Sequence, residues 1–338
     1  MRWDDVNARA RGLATHLLDG AALRRLAAAR DLPESLAQLA AIGYPLESGG
    51  VATDLPSLDR AVSRVAANRV ALLDRWLGRR RMVLAVVLEH EELLALRALV
   101  RGAAEGASPG SRLRNAVPTR GLPSRALDRL ARVPTLPDLA HELVRLGHPA
   151  GRVVQGVLDD TPAGGLAAME WALARLFGER ARRAARRGGP VLRCYVAERV
   201  DQENLRTLLL ASDGEEARAA GRYLEGGERI TRSAFERIRA LPGGEGRVVA
   251  LRALFEGTAI GAALGAEPLD PVSLEPRATA ARVAWLHGLA RRDPLGPAVL
   301  LEVLERILAE ARALRAIAAG VALGAPAGAL APLLPEAA

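Results

Sequence analysis

The sequence predicts an all-α fold, and three observations carry that expectation: the composition, the lack of period-two runs, and a helical segment that recurs along the chain. The 338 residues are 50% hydrophobic but only 3% aromatic. Most of the apolar share is Ala and Leu, with β-branched residues sparse, which favours helix over a large sheet. No segment alternates apolar and polar side chains convincingly enough to be a strand. The length suits roughly two to three domains and a sizeable core.

The elements follow from where Gly and Pro interrupt the helical patterning. Helices are expected near 5–18, 20–30 and 33–42, ahead of Gly49-Gly50, and near 56–77 and 81–104, ahead of Ser108-Pro109-Gly110. The next are 123–132 and 136–146, before the break at Pro162 to Gly165, and 164–187, which runs into Gly188-Gly189-Pro190. Helices near 191–211, 215–224 and 231–240 precede Pro242-Gly243-Gly244, and 246–264 precedes the Pro268 to Pro276 stretch. The last two are 277–291 and 295–323. The charge-free segment from Ala316 to Pro335 is too rich in Ala, Gly and Pro to be a membrane span.

The recurring segment is an acid followed four residues later by Leu-Arg and then by an aliphatic residue. Glu92 leads to Leu96-Arg97 and Leu99, Asp201 to Leu205-Arg206 and Leu208, and Glu310 to Leu314-Arg315 and Ile317, at a constant spacing of 109 residues. This pattern suits a helix that buries its Leu face. The acid and the Arg stand five positions apart, about 140° around a helix, so they are poor partners within one helix. A second echo, Leu32-Pro33-Glu34 to Gly43-x-Pro45, returns 104 residues later as Leu136-Pro137-Asp138 to Gly147-x-Pro149. The expectation is three similar helical units over 1–115, 116–225 and 226–330, followed by a flexible tail at 331–338. Replicated helical units favour a scaffold over an enzyme.

Composition also removes chemistries. All 47 basic residues are Arg, against 39 acids, for a formal charge of +8. Without Lys there is neither a Walker A phosphate loop nor a pyridoxal Schiff base. The single Cys194 excludes an internal disulfide and a cysteine zinc cluster, and beside Tyr195 it reads as a core filler. The N-terminal Met1-Arg2-Trp3-Asp4-Asp5 has no secretory pattern, so the expected address is cytoplasmic. Gly106-Ala107-Ser108-Pro109-Gly110 has the spacing of a nucleophile elbow, but Pro109 lacks the N–H that the oxyanion hole requires, so it reads as an interhelix turn. The histidines His16, His90, His141, His148 and His287 form no metal motif, and His90 with Glu89, Glu91 and Glu92 reads as a solvated helix face. No catalytic residue, cofactor or metal ligand is expected. Candidate interface residues are the clusters Arg79, Arg80, Arg81 and Arg180, Arg182, Arg183, Arg186, Arg187, set against the alternative of solvated helix ends.

One stretch, Leu192-Arg193-Cys194-Tyr195-Val196-Ala197-Glu198-Arg199-Val200-Asp201-Gln202-Glu203-Asn204-Leu205-Arg206-Thr207, resembles the central signature of the C subunits of archaeal and bacterial V-type (A-type) rotary ATPases, a family that includes the d subunits of eukaryotic V-ATPases. Its signature positions here are Glu198, Asp201, Asn204, Leu205 and Arg206. Asn7-Ala8-Arg9-Ala10-Arg11 resembles the family's opening segment, with Asn7, Arg9 and Arg11 in place, and Asp293-Pro294-Leu295-Gly296 with the helix beyond it resembles the last unit. Ala95 and Ala313 stand where the middle segment has Asn204. The resemblance implies a funnel of helices in three subdomains. It further implies a non-catalytic central-stalk connector, peripheral on the cytoplasmic face of the membrane, that joins the D and F shaft subunits to the proteolipid ring and transmits torque between ATP turnover and ion translocation. The alternative that charge alone leaves open is an all-α nucleic-acid-binding or regulatory scaffold, although no nucleic-acid motif is present.

Overall fold

The computed structural model describes residues 3–46, 54–160, 165–210, 222–265, 271–331 and 334. Its helices are α1 (Asp4–Ala14), α2 (Gly20–Ala27), α3 (Leu32–Ala41), α4 (Leu55–Leu77), α5 (Met82–Ala104), α6 (Pro109–Arg112), α7 (Ser124–Arg132), α8 (Leu136–Arg145) and α9 (Pro149–Asp160). They continue with α10 (Leu166–Gly188), α11 (Pro190–Leu210), α12 (Arg232–Arg239), α13 (Gly243–Leu254), α14 (Ala259–Leu264), α15 (Pro271–Arg292), α16 (Ala298–Ala322) and α17 (Ala327–Leu330). No strand occurs among the described residues, so the fold is all-α.

Short polar side chains start seven of the described helices by accepting the otherwise orphaned backbone N–H groups of the first turn. Asp19, Asp31, Thr135, Thr231 and Thr258 each accept from the third residue beyond them, and Asp54 forms a reciprocal capping box with Ser57. Ser108 caps the single turn of α6, so the elbow-like pentapeptide begins a helix and is more than a plain turn.

Several boundaries differ from the expectation, among them the end of α1 at Ala14 and not at residue 18. Helix α9 falls where none was expected; Pro149 opens it only two residues beyond Gly147, as Pro at a first helical position can. The expected helix 246–264 is two, because Gly257 turns left-handed (φ +72°) and Thr258 caps a new start. Helix α15 begins at Pro271, before Pro276. The expected helix 215–224 lies, apart from its last three residues, outside the described residues. Of the tail 331–338, only 331 and 334 are described.

The chain divides into two compact units, Met1–Leu84 with Glu256–Ala338, and Ala85–Phe255. In the first, α16 is the core: Leu300, Leu301, Leu304, Ile307, Leu308 and Leu314 are buried, and it packs on α15, α4, α1, α2 and α3. In the second, α10 and α11 are separated only by Gly189 and pack on each other, with α9 against α10 and both α12 and α13 against α11. Leu173, Phe177, Leu192, Tyr195, Leu205 and Phe235 fill that core.

Candidate functional site

The polar groups that shape the second unit are buried charges on α5 and α11. Arg97 reaches Glu203 with two hydrogen bonds, Nη1 to Oε1 at 3.1 Å and Nη2 to Oε2 at 2.7 Å, and both residues are buried. The Nε2 atom of His90 lies 3.6 Å from Glu203 Oε1, and the His90 ring meets Phe177 edge-on. Burial acts to raise the Glu203 carboxyl, but the Arg97 charge, its two hydrogen bonds and the neighbouring His90 prevail and hold it well below the ordinary carboxylate range. Arg101 pairs with Glu170 on α10, and Arg180 donates to Glu89 at 2.6 Å. His90, Glu91 and Glu92 are therefore not a solvated face: they are 2%, 3% and 8% exposed. The reason is geometric, since four consecutive helical residues span about 300° and cannot all face water when the helix is packed on several sides.

The acids of the recurring segment share one role. Glu92 Oε1 accepts from the Thr119 hydroxyl at 2.6 Å and from Gly121 N at 3.2 Å, while Oε2 lies 3.5 Å from His148 Nε2. Asp201 accepts three backbone N–H groups, from Glu228 at 3.0 Å, Arg229 at 2.9 Å and Ile230 at 2.9 Å. Glu310 accepts Leu18 N at 2.6 Å and an Arg69 guanidinium hydrogen bond. Each acid thus fastens the backbone just before one of the short helices α7, α12 and α2. Asp201 is cradled so closely that a β-carbon on Gly227 would stand 2.1 Å from its Oδ1. Burial raises both Asp201 and Glu310 above their ordinary values, against the backbone donors of the first and the Arg69 charge of the second. In Glu92 burial is outweighed by the neighbouring His148 and the hydrogen bond from Thr119, and the carboxyl falls below its ordinary value.

The signature residues are mostly engaged in contacts within the chain. Asn204 is fully buried and clamps Leu224, donating to its carbonyl and accepting from its N–H, each at 2.8 Å. Leu205 is buried, Arg206 is half-buried beside Arg97, and Glu198 is half-buried. Asn7 is buried and donates to the carbonyls of Pro294 at 3.2 Å and Gly296 at 2.9 Å; Arg11 donates to Pro294 O at 3.4 Å. Arg9 lies 6.0 Å over the Trp76 ring. The opening segment and the turn at 293–296, nearly 300 residues apart in sequence, are therefore one clamp.

The candidate interface arginines separate into two groups. Arg80 donates to Asp5 at 3.0 Å, Arg81 pairs with Asp74 at 3.2 Å, Arg180 holds Glu89, and Arg182 donates to the Glu225 carbonyl. Arg183, Arg186 and Arg187 are exposed, the last two in the final turn of α10, where a cation complements the helix dipole. The Arg79 side chain lies outside the described residues. Cys194 is exposed and not a core filler, because it sits on the side of α11 opposite the Leu192 and Tyr195 face. Among the described residues no helix is long and apolar enough to cross a membrane, and no His, Cys, Asp and Glu group could hold a metal ion.

Comparison with known proteins shows the family. The model of the ATP synthase (C/AC39) subunit family matches residues 6–330. Two V-type ATP synthase C subunits, from two strains of Thermus thermophilus, are each 31% identical over 281 residues, covering 80% of this chain and 80% of the relative. The matched span takes in the Asn7 clamp, the Asp201 and Asn204 anchors and the long helix that carries Glu310. The chain belongs to the ATP synthase (C/AC39) subunit family.

Proposed function

We propose that this chain is a non-catalytic subunit of a rotary V-type ATP synthase that works as its central-stalk connector. It joins the D and F shaft subunits to the proteolipid ring on the cytoplasmic face of the membrane and carries torque between ATP turnover and ion translocation. The observation that carries this reading is the family match over residues 6–330, which includes all three signature segments. The physical character of the fold agrees with it. A part that transmits torque needs stiff connections between helices, and the buried pairs Arg97–Glu203 and Arg69–Glu310, with the backbone anchors at Glu92 and Asp201, are of that kind. The same anchors support a threefold organisation over 1–115, 116–225 and 226–330, because each recurring acid fastens the entry to a short helix.

Attachment is assigned to the exposed arginines of α10. With Arg180 and Arg182 committed to internal partners, Arg183, Arg186 and Arg187 are the members of that cluster free to meet an acidic or carbonyl-rich partner surface. The test is capture of the purified D and F shaft subunits, and separately of the detergent-solubilised proteolipid ring, by the full chain. One or both should be retained, and the triple variant Arg183→Gln, Arg186→Gln, Arg187→Gln should hold its partner less tightly, most visibly at low salt where surface charges are least screened. Retention of neither partner by the wild-type chain would reject the connector reading.

A further inference from the structure

One imidazole closes the joint between α8 and α9. Gly147 is left-handed (φ +70°), the His148 N–H returns to Leu143 O at 2.9 Å to end α8, and α9 begins at the next residue, Pro149. His148 is therefore also the N-cap of α9, and its ring supplies the cap: Nδ1 accepts the Ala150 N–H at 3.2 Å. The turn held in this way is closely fitted. Ala150 and Gly151 are buried, and a β-carbon on Gly151 would stand 2.5 Å from Val144 N of α8.

Accepting at Nδ1 assigns the neutral ring its proton on Nε2, which lies 3.5 Å from Glu92 Oε2. His148 is buried, and Glu89 and Glu92 of α5 and Arg180 of α10 line the same small cavity. No charged side chain of α8 or α9 lines it among the described residues. Thr119, ahead of α7, holds Glu92 through its hydroxyl, and Arg180 holds Glu89. The charges that the ring faces are thus two carboxylates, one of them already paired. The first unit carries the same joint without a histidine. Gly43-Tyr44-Pro45 is the echo of Gly147-His148-Pro149, and the buried Tyr44 faces the recurring acid Glu310 as His148 faces Glu92. Burial raises the Tyr44 hydroxyl above its ordinary value, so that ring keeps one protonation state near neutrality. Histidine is the side chain that changes charge there.

We propose that His148 is an acid-operated latch: a proton taken from solvent goes to Nδ1, the ring nitrogen that lacks one, and the Ala150 N–H, left facing another donor, is released so that the first turn of α9 opens. Because α9 packs on α10, whose last turns carry Arg183, Arg186 and Arg187, acid loosens a support of the helix that bears them. The latch itself does not depend on the connector reading.

The experiment records amide hydrogen exchange and the nitrogen NMR signals of the His148 ring in the full chain at about pH 7.5 and about pH 5.5, either side of the range in which histidine titrates, with each exchange rate divided by that of an unfolded peptide at the same pH. At the higher pH only Nε2 should carry a proton. At the lower both nitrogens should, and protection of Ala150 and Gly151 should fall about fivefold, the factor that one N-cap supplies. Ala234, capped by the Thr231 hydroxyl, should keep its protection. His148→Asn, which can cap without titrating, should protect the turn at both pH values, and His148→Ala should leave it less protected at both. Equal wild-type protection at the two pH values overturns the latch, as does a ring that stays neutral at the lower one. Full protection in His148→Ala, or a loss in acid for His148→Asn as large as that of the wild type, also overturns it. Should neither variant fold, the wild-type ring signals and exchange rates decide alone.

Discussion

Replacing Arg97 by Met should destabilise the second unit more than any surface change. Arg97 and Glu203 have side chains 8% and 6% exposed and share two charge-assisted hydrogen bonds. Removing Arg97 leaves the Glu203 charge buried with only the neighbouring His90 beside it, and breaking a buried pair in this way costs about 3–5 kcal/mol. At about 2–4 °C per kcal/mol for a domain of 150–250 residues, the melting temperature should fall by about 6–20 °C. Replacing both residues, Arg97→Met with Glu203→Leu, removes the stranded charge and should recover most of the loss, because an apolar pair can match a buried ion pair. The pH dependence has a definite sign. In the wild type the Glu203 carboxyl lies below its ordinary value, so its contribution is complete above about pH 4.3 and is lost as pH falls through the folded value. In Arg97→Met, burial raises that carboxyl and protonation neutralises the stranded charge, so the deficit should be smaller at pH 5 than at pH 7. Thermal unfolding followed by circular dichroism at both pH values compares the wild type with Arg97→Met, Glu203→Leu and the double variant. A single variant within about 0.5 kcal/mol of wild type, or a double variant whose loss is the sum of the single losses, would refute the reasoning.

Other outcomes follow from the same contacts. Asp201→Ala removes the acceptor of three backbone N–H groups and should cost about 3–5 kcal/mol, read as a lowered denaturation midpoint; an effect below about 1 kcal/mol would contradict the anchor. Gly227→Ala should reproduce part of that loss with Asp201 itself intact, because its β-carbon would displace the carboxylate; a neutral result would mean that the segment yields freely. Asn7→Ala should cost about 1–3 kcal/mol and speed amide exchange at Gly296, whereas unchanged exchange there would disprove the clamp.

The class of fold and the long helices were legible because their signals are local: Ala and Leu content, apolar periodicity, and Gly or Pro at the breaks. Helix α9 was missed because Gly147 and Pro149 read as a single interruption, although a chain can leave one helix and enter the next within two residues. The buried charges were harder. Glu89 to Glu92 look solvated until Glu89 is seen to meet Arg180 and His90 to lie beside Glu203, both about 90 residues or more away, and nothing in the local sequence names those partners. A signal did exist in the count, since four successive polar positions cannot share one face of a helix. The recurring acid was visible as a pattern, but its work was not, because its partners are backbone N–H groups, which every residue but proline carries. The arginine clusters stand out along the chain, whereas the division between Arg180 and Arg182, which are held internally, and Arg183, Arg186 and Arg187, which are exposed, depends on contacts made only in the folded protein.

The central claim, that this chain couples a rotary ATPase without performing catalysis, is tested most directly by reconstitution into vesicles of the complex stripped of this chain, with ATP hydrolysis and ion uptake recorded together. Adding the purified chain should restore ATP-driven ion uptake, and the chain alone should hydrolyse no ATP. Uptake that stays absent with the chain bound, uptake that is already complete without it, or hydrolysis by the isolated chain would contradict the account.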